Sequence, residues 1–349
     1  MPKSVTLKDV AAKVGVTSAA ASMALSGHER ISEKTRAAVK QAADELGYVP
    51  SSAGRALRSQ RADAVALVVP NSSAHVFGHL YFMHVLTGMS TAANAHDAQV
   101  IVSTNADTSS GDVAYERVMR SRTADGAIVT SAAVDDDHVQ GLVASGLPAV
   151  LIGNYPHLAD AVTVGIDDVT ATERLVDHLV EVHGRRRLVH VTGTLDHQTG
   201  LDRRQGFLCA AERHGLTDVT VIEGDLSETS GAAAMEQMLA GDADTRPDGV
   251  VFANDDMAVG GLHTLRRAGV DVPGDIAVVG FDDFGLARVT TPGITTIRVP
   301  AEEMGRIATE RLFDLVDHRG GRSARTELPV ELVVRASCGC DPDAERVRT

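Results

Sequence analysis

Tryptophan is absent from the 349 residues, and cysteine occurs only at Cys209, Cys338 and Cys340. An odd count with two thiols one residue apart is not a disulfide framework, and a reducing cytoplasm is the simplest compartment for it. The longest apolar runs, such as AVALVV before Pro70, fall far short of the ~20 residues of a membrane-spanning helix. No apolar signal-peptide core opens the chain. There is no Walker-A loop, no G-x-S-x-G elbow and no G-x-G-x-x-G after a strand, and no nucleophile–base set can be assigned, so an enzyme is not expected. Lysine is scarce too: all five lie within the first 40 residues.

That last scarcity belongs to a wider asymmetry. Residues 1–61 hold ten Lys/Arg and five acids, a charge of +5, which leaves −19 for the rest of a chain whose net charge is −14. A basic head on an acidic body suits a protein whose head touches phosphate while its body is repelled by it. The length suits two or three domains, and 44% hydrophobic with 23% charged residues is the balance of a soluble globular chain.

The head reads as three helices. Thr6 is a candidate N-cap with Asp9 at capping-box spacing, and Val5 and Val10 form a hydrophobic staple. Leu7, Val10, Ala11 and Val14 share one face, and Gly15 ends the helix with a tight turn. Thr17 caps a second helix, Ser18–Leu25, with Ala21, Ala24 and Leu25 inward and Ser18, Ala19, Ser22 and Met23 outward. Ser32 caps a third, closed by Gly47. A short turn that sets two helices at this angle lets the second enter a major groove, although any small three-helix bundle could show the same periodicity.

From Val65 onward, eleven short apolar runs alternate with amphipathic stretches, which predicts parallel sheets covered on both faces in two doubly wound lobes. Polar residues follow several runs directly: Asn71, Thr130, Asn154, Asn254 and Asp282. The carboxyl ends of parallel strands face a ligand crevice. Asp168 and Asp255 read as helix caps. His75 and Phe77 fall on the loop after the first strand. Phe77 offers either an apolar ligand face or a core side chain. His75, His79 and His84 are closely spaced, but no cysteine or carboxylate accompanies them at a diagnostic spacing, and Cys338-x-Cys340 is equally thin. No metal or other cofactor is expected.

The segment TLKDVAAKVGVT…ALSG…ISEKTRAAVKQAADELGYVPSSAGRALR resembles the N-terminus of the LacI/GalR family of bacterial repressors, and the similarity continues to about residue 337. The resemblance implies a second helix that reads the major groove. It implies phosphate contacts at Thr6, Thr17, Arg30 and Ser32, and a hinge containing Ser51 whose Leu57 wedges into the minor groove. This chain departs from the family where base choice is made: Ala20-Ala21-Ser22-Met23 stands where Thr-Val-Ser-Arg is common. Met23 lacks the guanidinium that would read guanine, a contact worth ~1–3 kcal/mol of discrimination. Ala19 offers only a methyl group.

The body resembles the periplasmic sugar-binding-protein fold that this family carries as its effector domain. DRRQGF matches Arg-x-x-Gly-aromatic and implies Arg203 in the cleft, with a plain salt bridge as the alternative. ANDD and VVGFDD imply Asn254 and Asp282 there, and Leu226 falls where some members carry a large aromatic. Gly153 replaces an aspartate common among sugar binders. A polyhydroxylated ligand suits such a set, because hydroxyls donate to a carboxylate and accept from a guanidinium.

The expected organisation is a helix-turn-helix domain at 1–49, a hinge at 50–62, and an α/β effector and dimerisation domain at 63–340. Its N-lobe would take 63–163 plus 297–325 and its C-lobe 164–296 plus 326–340, with a tail after that. The expected function is that of a cytoplasmic, dimeric, ligand-responsive repressor, whose partners are operator DNA and a sugar-like effector and not a membrane. A solute-binding protein, or a regulator controlled by a protein partner, is the alternative.

Overall fold

The computed structural model describes residues 5–48, 61–105, 112–121, 123–241, 246–319 and 324–341. The hinge positions Ser51 and Leu57 lie outside them. The chain divides into two compact units, Met1–Ala62 and Asp63–Thr349.

In the first unit, α1 (Leu7–Val14), α2 (Ser18–Leu25) and α3 (Glu33–Leu46) pack around Val10, Ala21, Ala24, Val39 and Ala42. Each start is tied as the sequence predicts. The Asp9 carboxylate accepts from the Thr6 backbone N–H at 2.8 Å and from its hydroxyl at 2.7 Å. Thr17 Oγ1 accepts from Ala20 N–H at 3.1 Å, and Ser32 Oγ from Thr35 N–H at 3.3 Å. Gly15 and Gly47 take left-handed C-cap conformations, which spare a side chain the strain of that region. One placement differs. Ser22, expected to face out, is buried. Helix α2 packs against both α1 and α3, so its buried sector is wider than that of a helix with one neighbour.

The second unit contains two parallel sheets. From edge to edge the first runs Ala324–Glu327, Val162–Gly165, Ala149–Ile152, Gly126–Thr130, Ala64–Ser72 and Gln99–Asn105, and the second Val219–Glu223, Leu188–Thr192, Gly249–Phe252 and Ala277–Val279. In chain order the first sheet's strands are β1 (Ala64–Ser72), β2 (Gln99–Asn105), β3 (Gly126–Thr130), β4 (Ala149–Ile152), β5 (Val162–Gly165) and β11 (Ala324–Glu327). Those of the second are β6 (Leu188–Thr192), β7 (Val219–Glu223), β8 (Gly249–Phe252) and β9 (Ala277–Val279). Strands β3 and β8 are buried along their whole length, as strands covered by helices on both faces must be. All eleven apolar runs form strands, but TTIRV and VELVV are not strands of either sheet, TTIRV meeting the second only through single parallel bridges, Thr295 to Val279 and Arg298 to Asp282. They supply β10 (Thr296–Arg298) and β12 (Glu331–Val333), which pair antiparallel with each other. Strand β11 has the sequence ARTE and lacks an apolar signal. It sits at a sheet edge, where polar residues are favoured. The anticipated lobe seams at 163/164 and 325/326 cut through β5 and β11, whereas the first sheet holds both strands entire.

Helices Leu80–Ala95 and Ala301–Val316 pack closely on the first sheet. Their approach depends on two glycines. A Cβ on Gly88 would lie 1.8 Å from the Glu302 carbonyl oxygen, and one on Gly305 would lie 2.2 Å from that of Val85. Gly88→Ala must push the helices apart, because the obstacle is backbone. It is expected to cost about 1–3 kcal/mol, read as a lower urea midpoint with an unchanged m-value.

Candidate effector cleft and nucleic-acid interface

Both sheets direct the carboxyl ends of their strands at one cavity of about 450 Å³, a size typical of small-molecule sites. Asn71 and Thr130 reach it from β1 and β3, and Asn154 from beyond β4. Leu226, Asn254 and Asp282 reach it from beyond β7, β8 and β9, and Arg203 reaches it from helix Gln198–Arg213. Residues spread over more than 200 positions therefore share one wall because parallel topology brings their strand ends to the same side.

The charged centre of the cavity is a triad in which Asp168 and Arg203 are buried and Asp282 is half-buried. Arg203 Nε donates to Asp168 Oδ1 at 2.8 Å, and its Nη1 lies 3.7 Å from Asp282 Oδ1. The same Nη1 donates to the Ala253 carbonyl, and the guanidinium stacks 3.6 Å from the centre of the Phe281 ring. Both the salt bridge and the cleft position anticipated for Arg203 are present. Burial raises the Asp282 carboxyl well above the usual carboxylate range, with Arg203 opposing the shift. Burial raises Asp168 as well, again against Arg203. With both carboxyls ionised the triad would carry a net negative charge largely out of water, the cost that raises their pKa values and that further donors would offset. Backbone strain gathers here too: Ser131, Leu226 and Asp282 line the cavity with positive φ, that of Asp282 being +116°.

Asp168 and Asp255 are not caps. The caps are the residues one position earlier: Asp167 accepts from Thr170 N–H at 3.0 Å, and Asn254 from Met257 N–H at 2.9 Å. This releases Asp168 to the triad. Asp255 is buried and accepts from the Thr296 hydroxyl at 2.7 Å and from Asp283 N–H at 2.8 Å. Asn254 has both ends of its amide engaged, since its Nδ2 donates to the Leu226 carbonyl at 2.8 Å.

Phe77 is corrected. It lies on the helix Ser73–Gly78, not on a loop, is 60% exposed and does not line the cavity. Successive helical side chains are ~100° apart. His75 faces the cavity and Val76 the core, and Phe77 is turned away from both. The apolar wall comes instead from Tyr81, Phe82 and Tyr155. Sequence reasoning also missed His197, Gln198 and Asp225; Asp225 had a signal, because it closes the run that forms β7. His75 and His79 are neighbours, with ring centres 4.5 Å apart. His84 turns away to Glu302 at 2.8 Å, so the three histidines do not converge. Several bonds cross between the lobes: His79 Nδ1 to Asp256 at 3.4 Å, Asn154 Nδ2 to Asp202 at 2.8 Å, and His197 Nε2 to the Ser131 carbonyl at 3.2 Å.

In the head, Thr6, Thr17 and Ser32 stand at the N-termini of α1, α2 and α3, where backbone N–H groups and the helix dipole attract phosphate. Arg30 and Ser32 are exposed, Ala19 is exposed on α2, and Ser18 and Met23 are half-buried.

Comparison with known proteins places this arrangement. Residues 6–51 match the bacterial regulatory proteins of the lacI family, and residues 176–338 match the periplasmic binding protein-like domain. The HTH-type transcriptional regulator CelR of Thermobifida fusca is 33% identical over 339 residues, which cover 95% of this chain and 98% of that relative. A solved complex of the transcriptional regulator CelR with cellobiose aligns at 31% identity with a TM-score of 0.71, over 95% of this chain and 99% of that one. The lac repressor dimer bound to operator and the anti-inducer ONPF aligns at 26% identity with a TM-score of 0.86, over 96% and 99%. The chain belongs to the lacI family of bacterial regulatory proteins. It is a ligand-responsive, DNA-binding transcriptional regulator with a helix-turn-helix head and a periplasmic-binding-protein-like body. Among the described residues no helix is long and apolar enough to cross a membrane.

Proposed function

We propose that the chain is a cytoplasmic, homodimeric repressor that leaves its operator when a sugar or sugar derivative occupies the cleft. The observation that carries this reading is the Asp168–Arg203–Asp282 triad on the cavity wall. It has a carboxylate to accept from hydroxyls and a guanidinium to donate to them, beside the rings of Tyr81 and Phe82. Vicinal hydroxyls can bond the carboxylate and the guanidinium at once, whereas an apolar ligand would cover both without adding a partner. The cellobiose complex of CelR supports the same ligand class. Asn71, His75, Thr130, Asn154, Leu226 and Asn254 complete the pocket. In the head, Ser18, Ala19 and Met23 face the bases, and Thr6, Thr17, Arg30 and Ser32 hold phosphates. Ser51 and Leu57 act from the hinge, and Ser22 packs rather than reads. The working limits are 1–49 for the head, 50–62 for the hinge and 63–340 for the body.

The test is fluorescence-anisotropy titration of the protein onto DNA from upstream of its own gene, with and without cellobiose, other sugars and nucleosides. Site-selective binding relieved by one sugar is expected. Tightening by a sugar would make the compound a corepressor, and indifference to every sugar alongside relief by a nucleoside would overturn the ligand class.

A proton linkage follows from the same geometry. A sugar hydroxyl donates more strongly to Asp282 when that carboxyl is ionised, and burial holds its pKa above the ordinary range. Binding lowers the pKa of Asp282 and expels a proton wherever the free protein is protonated there. Affinity is therefore expected to rise with pH above the ordinary carboxylate range, then level off once Asp282 is ionised in both states. Calorimetry in buffers of different ionisation enthalpy measures the release, and Asp282→Asn should abolish it.

A further inference from the structure

Away from the cleft, two histidines and two cysteines meet at the far end of the helix that begins with Asp168. That helix, Asp168–Asp177, runs on into one π-helical turn, His178–Val182. On a regular α-helix, residues five apart point ~140° from one another. The wider π turn closes that angle, and such turns are frequent at functional sites. The His178 and His183 ring centres lie 5.0 Å apart. Onto this pair folds the segment after β12, a short 3₁₀ turn at Ala336–Cys338 followed by Gly339 and Cys340.

The four ligand atoms all lie within 4.8 Å of one another. Cys338 Sγ is 3.3 Å from His178 Nε2, while Cys340 Sγ is 3.7 Å from His178 Nε2 and 3.3 Å from His183 Nε2. A tetrahedral zinc ion with Zn–S near 2.3 Å and Zn–N near 2.0–2.1 Å has S···N edges of about 3.6 Å, so these separations are already those of a coordination shell. None of the three cysteines is in a disulfide. Gly339 holds the pair in place: its φ is +114°, and a Cβ there would lie 3.0 Å from His183 Nδ1. The Thr295 hydroxyl, 3.1 Å from Cys338 Sγ, orients one thiolate from the segment that leads into β10.

We propose that His178, His183, Cys338 and Cys340 form a structural zinc site that clasps the segment after β12 to the helix Asp168–Asp177 and its π turn. Two thiolates with two imidazoles select zinc among the common divalent ions. Four protein ligands leave no open position, so the site is structural and not catalytic. Binding displaces the two thiol protons, which pass to solvent. In sequence the two pairs stand over 150 residues apart, and only the π turn and the fold of the segment after β12 unite them.

The experiment uses untagged full-length protein, purified reduced and stripped with a chelator, then titrated with Co²⁺ and afterwards with Zn²⁺. The expected result is one cobalt per chain, with the visible bands of a tetrahedral site and thiolate-to-cobalt charge transfer, all erased by one equivalent of zinc. Cys340→Ser and His183→Ala, both at half-buried positions, should each lose stoichiometric uptake while keeping the far-ultraviolet circular dichroism of the wild type. Zinc should raise Tm in the wild type and leave it unmoved in both variants. An octahedral cobalt spectrum would overturn the proposal. So would a Cys338–Cys340 disulfide with no metal uptake in the reduced preparation, or a spectrum that follows His75→Ala and His79→Ala instead.

Discussion

Arg203→Leu is expected to destabilise the body by about 3–5 kcal/mol, the usual cost of leaving a buried charge without its partner, and to abolish the response of operator binding to effector. The substitution removes the only cation bonded to Asp168 and Asp282 among the described residues, and a leucine restores neither the bond to the Ala253 carbonyl nor the stack on Phe281. The pH dependence identifies the cause. Both carboxyls already have folded-state pKa values above the ordinary range, set by burial and opposed by Arg203. Without Arg203 the opposition disappears and the folded values rise further. A carboxyl whose folded pKa exceeds its unfolded one costs nothing below the unfolded value, and its full cost is reached only above the folded value. The deficit of Arg203→Leu should therefore be largest at neutral pH and shrink on acidification. Urea titrations at pH 5 and pH 7.5 measure it. A deficit independent of pH would mean that lost packing, and not uncompensated charge, dominates.

Operator binding is expected to weaken about 10³–10⁵-fold between 50 and 200 mM salt if the two heads of a dimer together neutralise 6–10 phosphates. The charge asymmetry supports a number in that range, because each head region carries ten cations within its first 61 residues. An uncharged sugar that displaces no counterions should bind the body with little salt dependence, so the two reactions separate cleanly in one titration series. Arg30→Ala should flatten the log K–log[salt] slope by about 0.9 per lost contact, or about twice that for a symmetric dimer, and weaken all sequences alike. Met23→Arg should instead change which base is preferred, by ~1–3 kcal/mol at one position per half-site. A binding curve indifferent to salt would remove the head from the interaction.

The head is legible in the sequence because its signals are local. Thr6, Thr17 and Ser32 cap helices within three residues of themselves, and Gly15 and Gly47 stop them. Strand-end polarity brought Asn71, Thr130, Asn154, Asn254 and Asp282 to the cleft, since period and topology together dictate which end of a parallel strand faces ligand. Errors arose where neighbours in space, not in sequence, made the decision. Ser22 is buried because α2 has two packing partners. Phe77 misses the cavity because its segment is helical and turns it away from His75. Asp168 reads as a cap until Asp167 is seen to take that role, which frees it for a guanidinium 35 positions away.

Short-range pattern was enough for the class of the protein: a basic capped bundle, eleven apolar runs and the Arg-x-x-Gly-aromatic match are displayed openly along one chain. The chemistry of its sites came from long-range packing. The Asp168–Arg203–Asp282 triad and the His178–His183–Cys338–Cys340 cluster each join residues far apart along the chain. Their members are ordinary in isolation. They acquire function when sheet register, one π turn and the segment after β12 place them within bonding distance, where burial strengthens every charge and hydrogen bond between them.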